Sequence, residues 1–413
     1  MVKDNQPVKE GFSVTGLIRK IPKTIWVLSF VSLLMNSSSS VISSLSPIFI
    51  IGLLGGNSFD LGLVRGITEA LAYVIKLFSG VLSDYIGRRK IFILIGYGAA
   101  IFTKPIFMMA SSVFTYMSAQ TVERVANGLR DTPRDAMVAD TSPKGMKGTC
   151  FGLRQGMATL GSTIGGIFCW KILQTLGGDE ASIRFVYIIA IIPIVLSVTL
   201  LCFGIKDAAD ITALKKRKGF PMKREDMREL GREYWHFIFV CLAFMMSRFS
   251  ESFLVYRAQT LGLEVQYQPL MLAIMYFAYT PASKMVGIWS DKTDRKQFLI
   301  AGFLLMIVSC AILGRATQIW QVVLGIIVYG IHFGATQGTL YAMVSDYSLK
   351  HLRGTTFGIF NITCAMGMCF SSMLMGYLWD KCGASVAFSV NAGIASLAVL
   401  FLLFLKPSKQ ERQ

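Results

Sequence analysis

The sequence predicts an all-α membrane protein: twelve transmembrane helices in two six-helix bundles related by a pseudo-twofold axis. Three observations predict it: long apolar blocks, a one-sided distribution of positive charge, and an internal repeat of half the chain length. Of the 413 residues, 53% are hydrophobic and only 16% charged, and mean hydropathy is +0.55. Soluble domains carry about 25% charged residues. The apolar residues come in blocks such as 91–107, 185–204, 298–313, 319–333 and 384–405, near the length that crosses about 30 Å of hydrocarbon as a helix. Helices are expected near 24–54, 58–83, 91–112, 114–140, 149–176, 184–205, 234–262, 267–290, 298–315, 319–346, 354–378 and 384–405.

The formal charge of +17 would suit a nucleic-acid partner if the cations formed a patch. They sort by loop instead. Twenty-seven, from Lys3 through Arg88, Lys147, Lys216 and Lys296 to Arg412, fall in segments on one predicted side. The opposite loops hold Arg184, Arg315 and Lys381. The positive-inside rule puts the crowded side and both termini in the cytoplasm, in the inner (cytoplasmic) membrane. The charge reports topology, and no nucleic-acid partner is expected. Eight scattered cysteines and three histidines offer no metal-ligand spacing, so neither metal nor cofactor is expected. Polar residues 1–23 lead directly into the first span, with no cleavable signal pattern.

The repeat is the most informative feature. GVLSDYIGRRK at 80–90 aligns with GIWSDKTDRKQ at 287–297, placing Gly80, Asp84 and Arg88 on Gly287, Asp291 and Arg295. DTSPKGMKGTCFG at 140–152 aligns with DYSLKHLRGTTFG at 346–358, placing Asp140 on Asp346. The two offsets, 207 and 206, agree with half the chain. An N-terminal bundle over 1–206, a basic cytoplasmic linker over 207–233 and a C-terminal bundle over 234–413 follow. Six spans per half make the repeat parallel, the symmetry of transporters that rock two halves around a midplane site.

These residues resemble the Major Facilitator Superfamily of secondary transporters over essentially the whole chain. GVLSDYIGRRK is similar to its loop G-x-L-[SA]-D-x-x-G-[RK]-[RK], with Tyr85 where a basic residue is usual. The resemblance, with the charge chemistry, implies a gating cluster of Gly80, Asp84, Gly87, Arg88, Arg89 and Asp140, repeated as Gly287, Asp291, Arg295 and Asp346. Arg124-Val-Ala-Asn127-Gly128-Leu-Arg130 resembles the family's R-x-x-[QR]-G-x-[GA], with Arg130 in place of a small residue. Gly161-Ser162-Thr-Ile-Gly165-Gly166 is similar to the antiporter motif G-P-x-x-G-G, its proline replaced by Ser162.

Charges inside the spans point to the site, because each costs at least about 2.5–3.5 kcal/mol at mid-bilayer unless it faces the interior or a wet cavity. In the fourth helix Glu123, Asn127, Arg130 and Arg134 fall on one face, with Arg124, Asp131 and Asp135 beside them. The seventh carries SRFSES, in which Arg248 and Glu251 are spaced as an i,i+3 pair, and then Arg257. Arg is the preferred fork for carboxylate or phosphate. Arg130, Arg134, Arg248, Arg257, Lys76 and Lys104 are therefore expected to bind substrate. Glu69, Glu123, Arg124, Asp131, Asp135 and Glu251 are expected to serve proton coupling, since burial and nearby arginines act oppositely on a carboxyl group. The expected function is proton-coupled import of a small organic anion, such as a carboxylate-type siderophore or a metabolite, by a monomer. The alternative is a drug or metabolite efflux antiporter. No nucleophile–base or phosphate-loop pattern suggests an enzyme.

Overall fold

The computed structural model describes residues 20–86, 88–143, 146–205, 229–290, 293–348 and 352–405, without the side chains at positions 81, 84, 353 and 354. Gly87, Asp291 and the side chain of Asp84, all expected in the gate, lie outside the described residues, as does most of the linker. No strand occurs among the described residues. The helices are α1 (Lys23–Pro47, continued by a π-helical segment Ile48–Leu53), α2 (Ser58–Ile86), α3 (Arg89–Met109), α4 (Val113–Thr141), α5 (Lys147–Leu176), α6 (Glu180–Ile189) and α7 (Ile191–Gly204). The second half has α8 (Arg232–Met245), α9 (Ser252–Thr260), α10 (Pro269–Ser290), α11 (Arg295–Arg315), α12 (Ile319–Asp346), α13 (Arg353–Cys382) and α14 (Ala384–Leu403).

The pairs α6–α7 and α8–α9 each occupy one predicted span, giving twelve rods among the described residues, six per half. The α6–α7 step at Ala190 has a local cause. Pro193 has no N–H to donate to the carbonyl of Ile189. The α8–α9 break has neither Gly nor Pro. Its serines supply substitutes for helical bonds: Ser247 Oγ donates to the Phe244 carbonyl at 2.6 Å, and Ser250 Oγ accepts from the Ser252 N–H at 3.4 Å. Serines compete with the helix in this way.

Among the described residues seven rods are long and apolar enough to cross a membrane on those grounds alone. Among the five that fall short are α2, α4, α5 and α8–α9, which carry the charges that line the cavity between the halves. That is the trade expected where a span lines a polar cavity.

Both described chain ends lie on one face, here the terminal face. Near the opposite face a single apolar core runs through both halves, from Phe49, Phe107 and Tyr187 to Phe253, Met271 and Trp379. Toward the terminal face it divides into one cluster built on Leu28, Ile93 and Leu201 and another built on Phe237, Phe303 and Phe360. The halves are thus sealed together at the opposite face.

Glycine makes that seal tight. A Cβ on Gly62 would lie 2.2 Å from the Ser372 carbonyl oxygen, and one on Gly376 2.3 Å from that of Ser58. Gly66 meets Cys369 and Gly166 meets Pro269 and Ala273 in the same fashion. Asp380, on α13, accepts the N–H groups of Ser58 and Phe59 at 3.0 and 2.8 Å, capping α2 from the other half.

At the terminal face the repeat is visible as matched contacts. Arg89 pairs with Asp140, and Arg295 with Asp346. Lys90 Nζ donates to the carbonyls of Cys202 and Ile205, and Lys296 Nζ to those of Leu403 and Leu405. Each lysine thereby caps the last helix of its half. On the opposite face Asp179 caps α6, accepting from the hydroxyl and then the backbone N–H of Ser182, which holds its carboxyl below the usual carboxylate range.

Candidate functional site

A cavity of about 840 Å³ lies between the halves and runs from mid-span toward the terminal face. Its roof is Ser39, Ser40 and Ser43 of α1 and the α8–α9 break. Its charged lining is seven cations (Arg65, Lys76, Arg124, Arg130, Arg134, Arg154, Arg248) against four carboxylates (Glu69, Asp131, Asp135, Glu251).

Most of these charges are already matched. Glu69 holds Arg124 at 2.9 Å and Arg65 at 3.4 Å, and Gln120, with its amide oriented to both, accepts from each at 3.2 Å. Arg65 also reaches across the cavity roof, donating from Nε to Ser250 Oγ of the other half at 3.0 Å. Asp131 binds Lys76 at 3.0 Å and Arg134 at 3.1 Å, while Asp135 binds Arg134 at 3.2 Å and Arg154 at 3.4 Å. Arg134, expected to grip substrate, is thus the hinge of an ion-pair chain that includes two carboxylates.

Arg130 is different. It is 4% exposed, lies over the Tyr97 ring at 4.4 Å, and presents Nε and Nη1 with no hydrogen-bond partner. Among the described residues no carboxylate is within ion-pair distance of it. Its placement follows from Gly96 of α3, where a Cβ would lie 2.7 Å from Arg130 Cβ and from the Ala126 carbonyl. Arg248, from the other half, has no carboxylate either. Its guanidinium donates to Gln337 Oε1 at 2.8 Å and stacks over Phe333 at 4.0 Å. The spacing of Arg248 and Glu251 suggested an i,i+3 pair, but the break between α8 and α9 separates them. Glu251 instead accepts from the Tyr276 hydroxyl at 2.7 Å.

Three expected site residues lie elsewhere. Lys104 and Glu123 form a sealed pair at 3.0 Å, 0% and 1% exposed, with Thr103 donating to the same carboxylate at 2.6 Å. Neither lines the cavity. A charge on α3 with its own acid needs no substrate to justify it. Arg257 donates to the carbonyls of Leu313 and Ala316 at 2.9 and 2.6 Å, capping α11 at the opposite face. Among the gate residues, Gly80 fits its expected use: a Cβ there would meet Thr132 Cγ2 at 2.8 Å. Gly287 has nothing within 4 Å of such an atom, so the second copy needs no glycine there. Arg89–Asp140 and Arg295–Asp346 join neighbouring helices within a half. Arg88 is an exposed residue preceding α3. Arg154, Tyr276, Gln337 and Ser250 were not singled out as site residues from sequence. The polar run SRFSES was the available signal for the last.

The glycines of the antiporter-like stretch have a packing use. A Cβ on Gly161 or Gly165 would lie 2.1 Å from the carbonyl of Leu33 or Ser37 on α1.

The Major Facilitator Superfamily model matches residues 25–267 and 237–413. The chain belongs to the Major Facilitator Superfamily. It is accordingly a membrane transporter of small molecules and not an enzyme. It is 30% identical over 396 residues to an uncharacterised MFS-type transporter of Methanocaldococcus jannaschii, covering 94% of this chain and 96% of that one. It is 24% identical over 267 residues to the lysosomal dipeptide transporter MFSD1 of Danio rerio, covering 61% of this chain and 58% of the relative. Among solved structures, the nucleoside transporter NupG superposes with a TM-score of 0.75 at 13% identity, covering 92% of this transporter and 98% of that chain. That likeness speaks for the fold.

Proposed function

We propose that the transporter imports a small organic anion together with protons, by alternating access across the cytoplasmic membrane, and acts as a monomer with its site between its own two halves. The observation that carries this reading is Arg130: a buried guanidinium of the cavity lining with two nitrogens that have no hydrogen-bond partner, in a cavity where cations outnumber carboxylates by three. An anion entering the cavity would give that guanidinium the ion-pair partner it lacks among the described residues. The crowded cationic loops lie on the face toward which the cavity runs, so the positive-inside rule supports an inward-facing state. The dipeptides named for the Danio rerio relative also carry a carboxylate. The efflux-antiporter reading is disfavoured by Ser162, which stands where the antiporter motif has its proline.

Proton coupling has a route through Glu69. An incoming anion competes with this carboxylate for Arg65 and Arg124. Once displaced, Glu69 faces loss of its two ion pairs in a poorly solvated site and is stabilised by taking a proton. Arg65 also holds Ser250 of the other half, so the same exchange loosens an inter-half contact. Uptake of labelled organic anions into proteoliposomes, with and without an inward proton gradient, tests this. Glu69→Gln should keep anion movement down its own gradient and lose acceleration by protons. Unchanged proton dependence in Glu69→Gln would remove Glu69 from the coupling role.

A further inference from the structure

Of the four cavity carboxylates, three are held by cations from two sides. Glu251 has no cation within ion-pair distance among the described residues; it has the Tyr276 hydroxyl at 2.7 Å on one oxygen. It stands at the α8–α9 break, partly exposed to the cavity, in the half opposite Arg130. Among the described residues three cavity charges therefore lack an ion pair: Arg130 in one half, and Arg248 and Glu251 in the other, the two bodies that must rock against each other.

A simple anion would match Arg130 and leave Glu251 as an uncompensated carboxylate when the halves close and water is excluded. Its desolvation would then oppose closure. A solute with an oxyanion at one end and an ammonium at the other matches both. It also joins the halves, so its binding energy favours the closed state more than the open one, the condition for a ligand to drive a conformational change. Arg248 does not remove the need, since its guanidinium is held by Gln337 and Phe333.

We infer that the cavity selects ampholytes, with the oxyanion on Arg130 and the ammonium on Glu251. The inference rests on the anion reading of Arg130 and adds the second pole.

The test uses the purified full chain and two matched trios of probes, built on alanine and on alanylalanine: the free ampholyte, its N-acetyl derivative and its C-terminal amide. Calorimetric titration should show the ampholyte of at least one trio binding at least about tenfold tighter than both derivatives, the scale expected for loss of one partner of a buried charge pair. Glu251→Gln should abolish the preference over the N-acetyl derivative, and Arg130→Gln the preference over the amide. If the N-acetyl derivative binds as well as the ampholyte, the second pole is wrong and the anion reading stands. If the amide binds as well as the ampholyte and Arg130→Gln changes nothing, the anion reading falls with it. Binding by none of the six probes also overturns the inference. The wild-type comparison decides the matter even where a variant fails to fold.

Discussion

Arg130 and Arg134 lie one helical turn apart on α4, yet the structure separates their roles, and Arg→Lys at each position exposes the difference. At Arg130 the substitution keeps a positive charge and removes the planar fork that stacks on Tyr97 and presents Nε and Nη1. A hydrogen bond to a charged group contributes about 1.5–3 kcal/mol, and each 1.4 kcal/mol is about a factor of ten in affinity. Loss of one such bond to a substrate oxyanion should weaken apparent affinity by roughly tenfold to a hundredfold. At Arg134 the carboxylates keep other partners: Asp131 retains Lys76 and Asp135 retains Arg154. A lysine there can rejoin the chain of ion pairs, and affinity should stay within about threefold. The assay is concentration-dependent uptake by both variants in proteoliposomes at matched protein content. Equal losses at the two positions, or full activity in Arg130→Lys, would refute the assignment of Arg130 as the substrate's guanidinium.

The other predictions concern the parts around the site. Lys104→Met should destabilise the purified protein by about 3–5 kcal/mol, because it strands Glu123 as a buried charge, and adding Glu123→Gln should recover most of that; thermal unfolding followed by size exclusion reads both. Gly62→Ala should loosen the opposite-face seam, since the new Cβ would lie 2.2 Å from the Ser372 carbonyl oxygen. In a background without native cysteines, a cysteine replacing Ser43 at the cavity roof should then react faster with an external impermeant thiol reagent; an unchanged rate would mean the seam is not the closing contact. Arg257→Met should lower thermal stability while leaving substrate affinity within about twofold, because it uncaps α11 and touches no cavity residue.

Much of the fold could be read from the chain because the bilayer leaves few choices. The long apolar blocks had to be helices, and paired motifs half a chain apart pointed to two like halves. The α8–α9 break was not legible. Serine, unlike Gly or Pro, breaks a helix only where its hydroxyl finds a nearby backbone group, as Ser247 and Ser250 do. That break also undid the expected Arg248–Glu251 pair, which depended on helical spacing. Periodicity put Glu123, Arg130 and Arg134 on one face of α4 but said nothing of what each would meet. Glu123 and Arg130 met another element, Lys104 and the Tyr97 ring of α3, whereas Arg134 met Asp131 and Asp135 of its own helix. The gate motifs were recognised twice over, and the described residues show an ion-pair partner for Arg89 and for Arg295, while Asp291 and the side chain of Asp84 lie outside them. The observed partners, Asp140 and Asp346, stood in the second repeated motif, at the same offset.

The most direct test is counterflow and net uptake by proteoliposomes of purified wild type and Arg130→Gln, using labelled carboxylate-bearing solutes under an inward proton gradient. The account predicts saturable, ionophore-sensitive accumulation of at least one such solute by the wild type and loss of that accumulation in Arg130→Gln. Accumulation of cationic solutes in place of anionic ones, or anion uptake that survives Arg130→Gln unchanged, would contradict it.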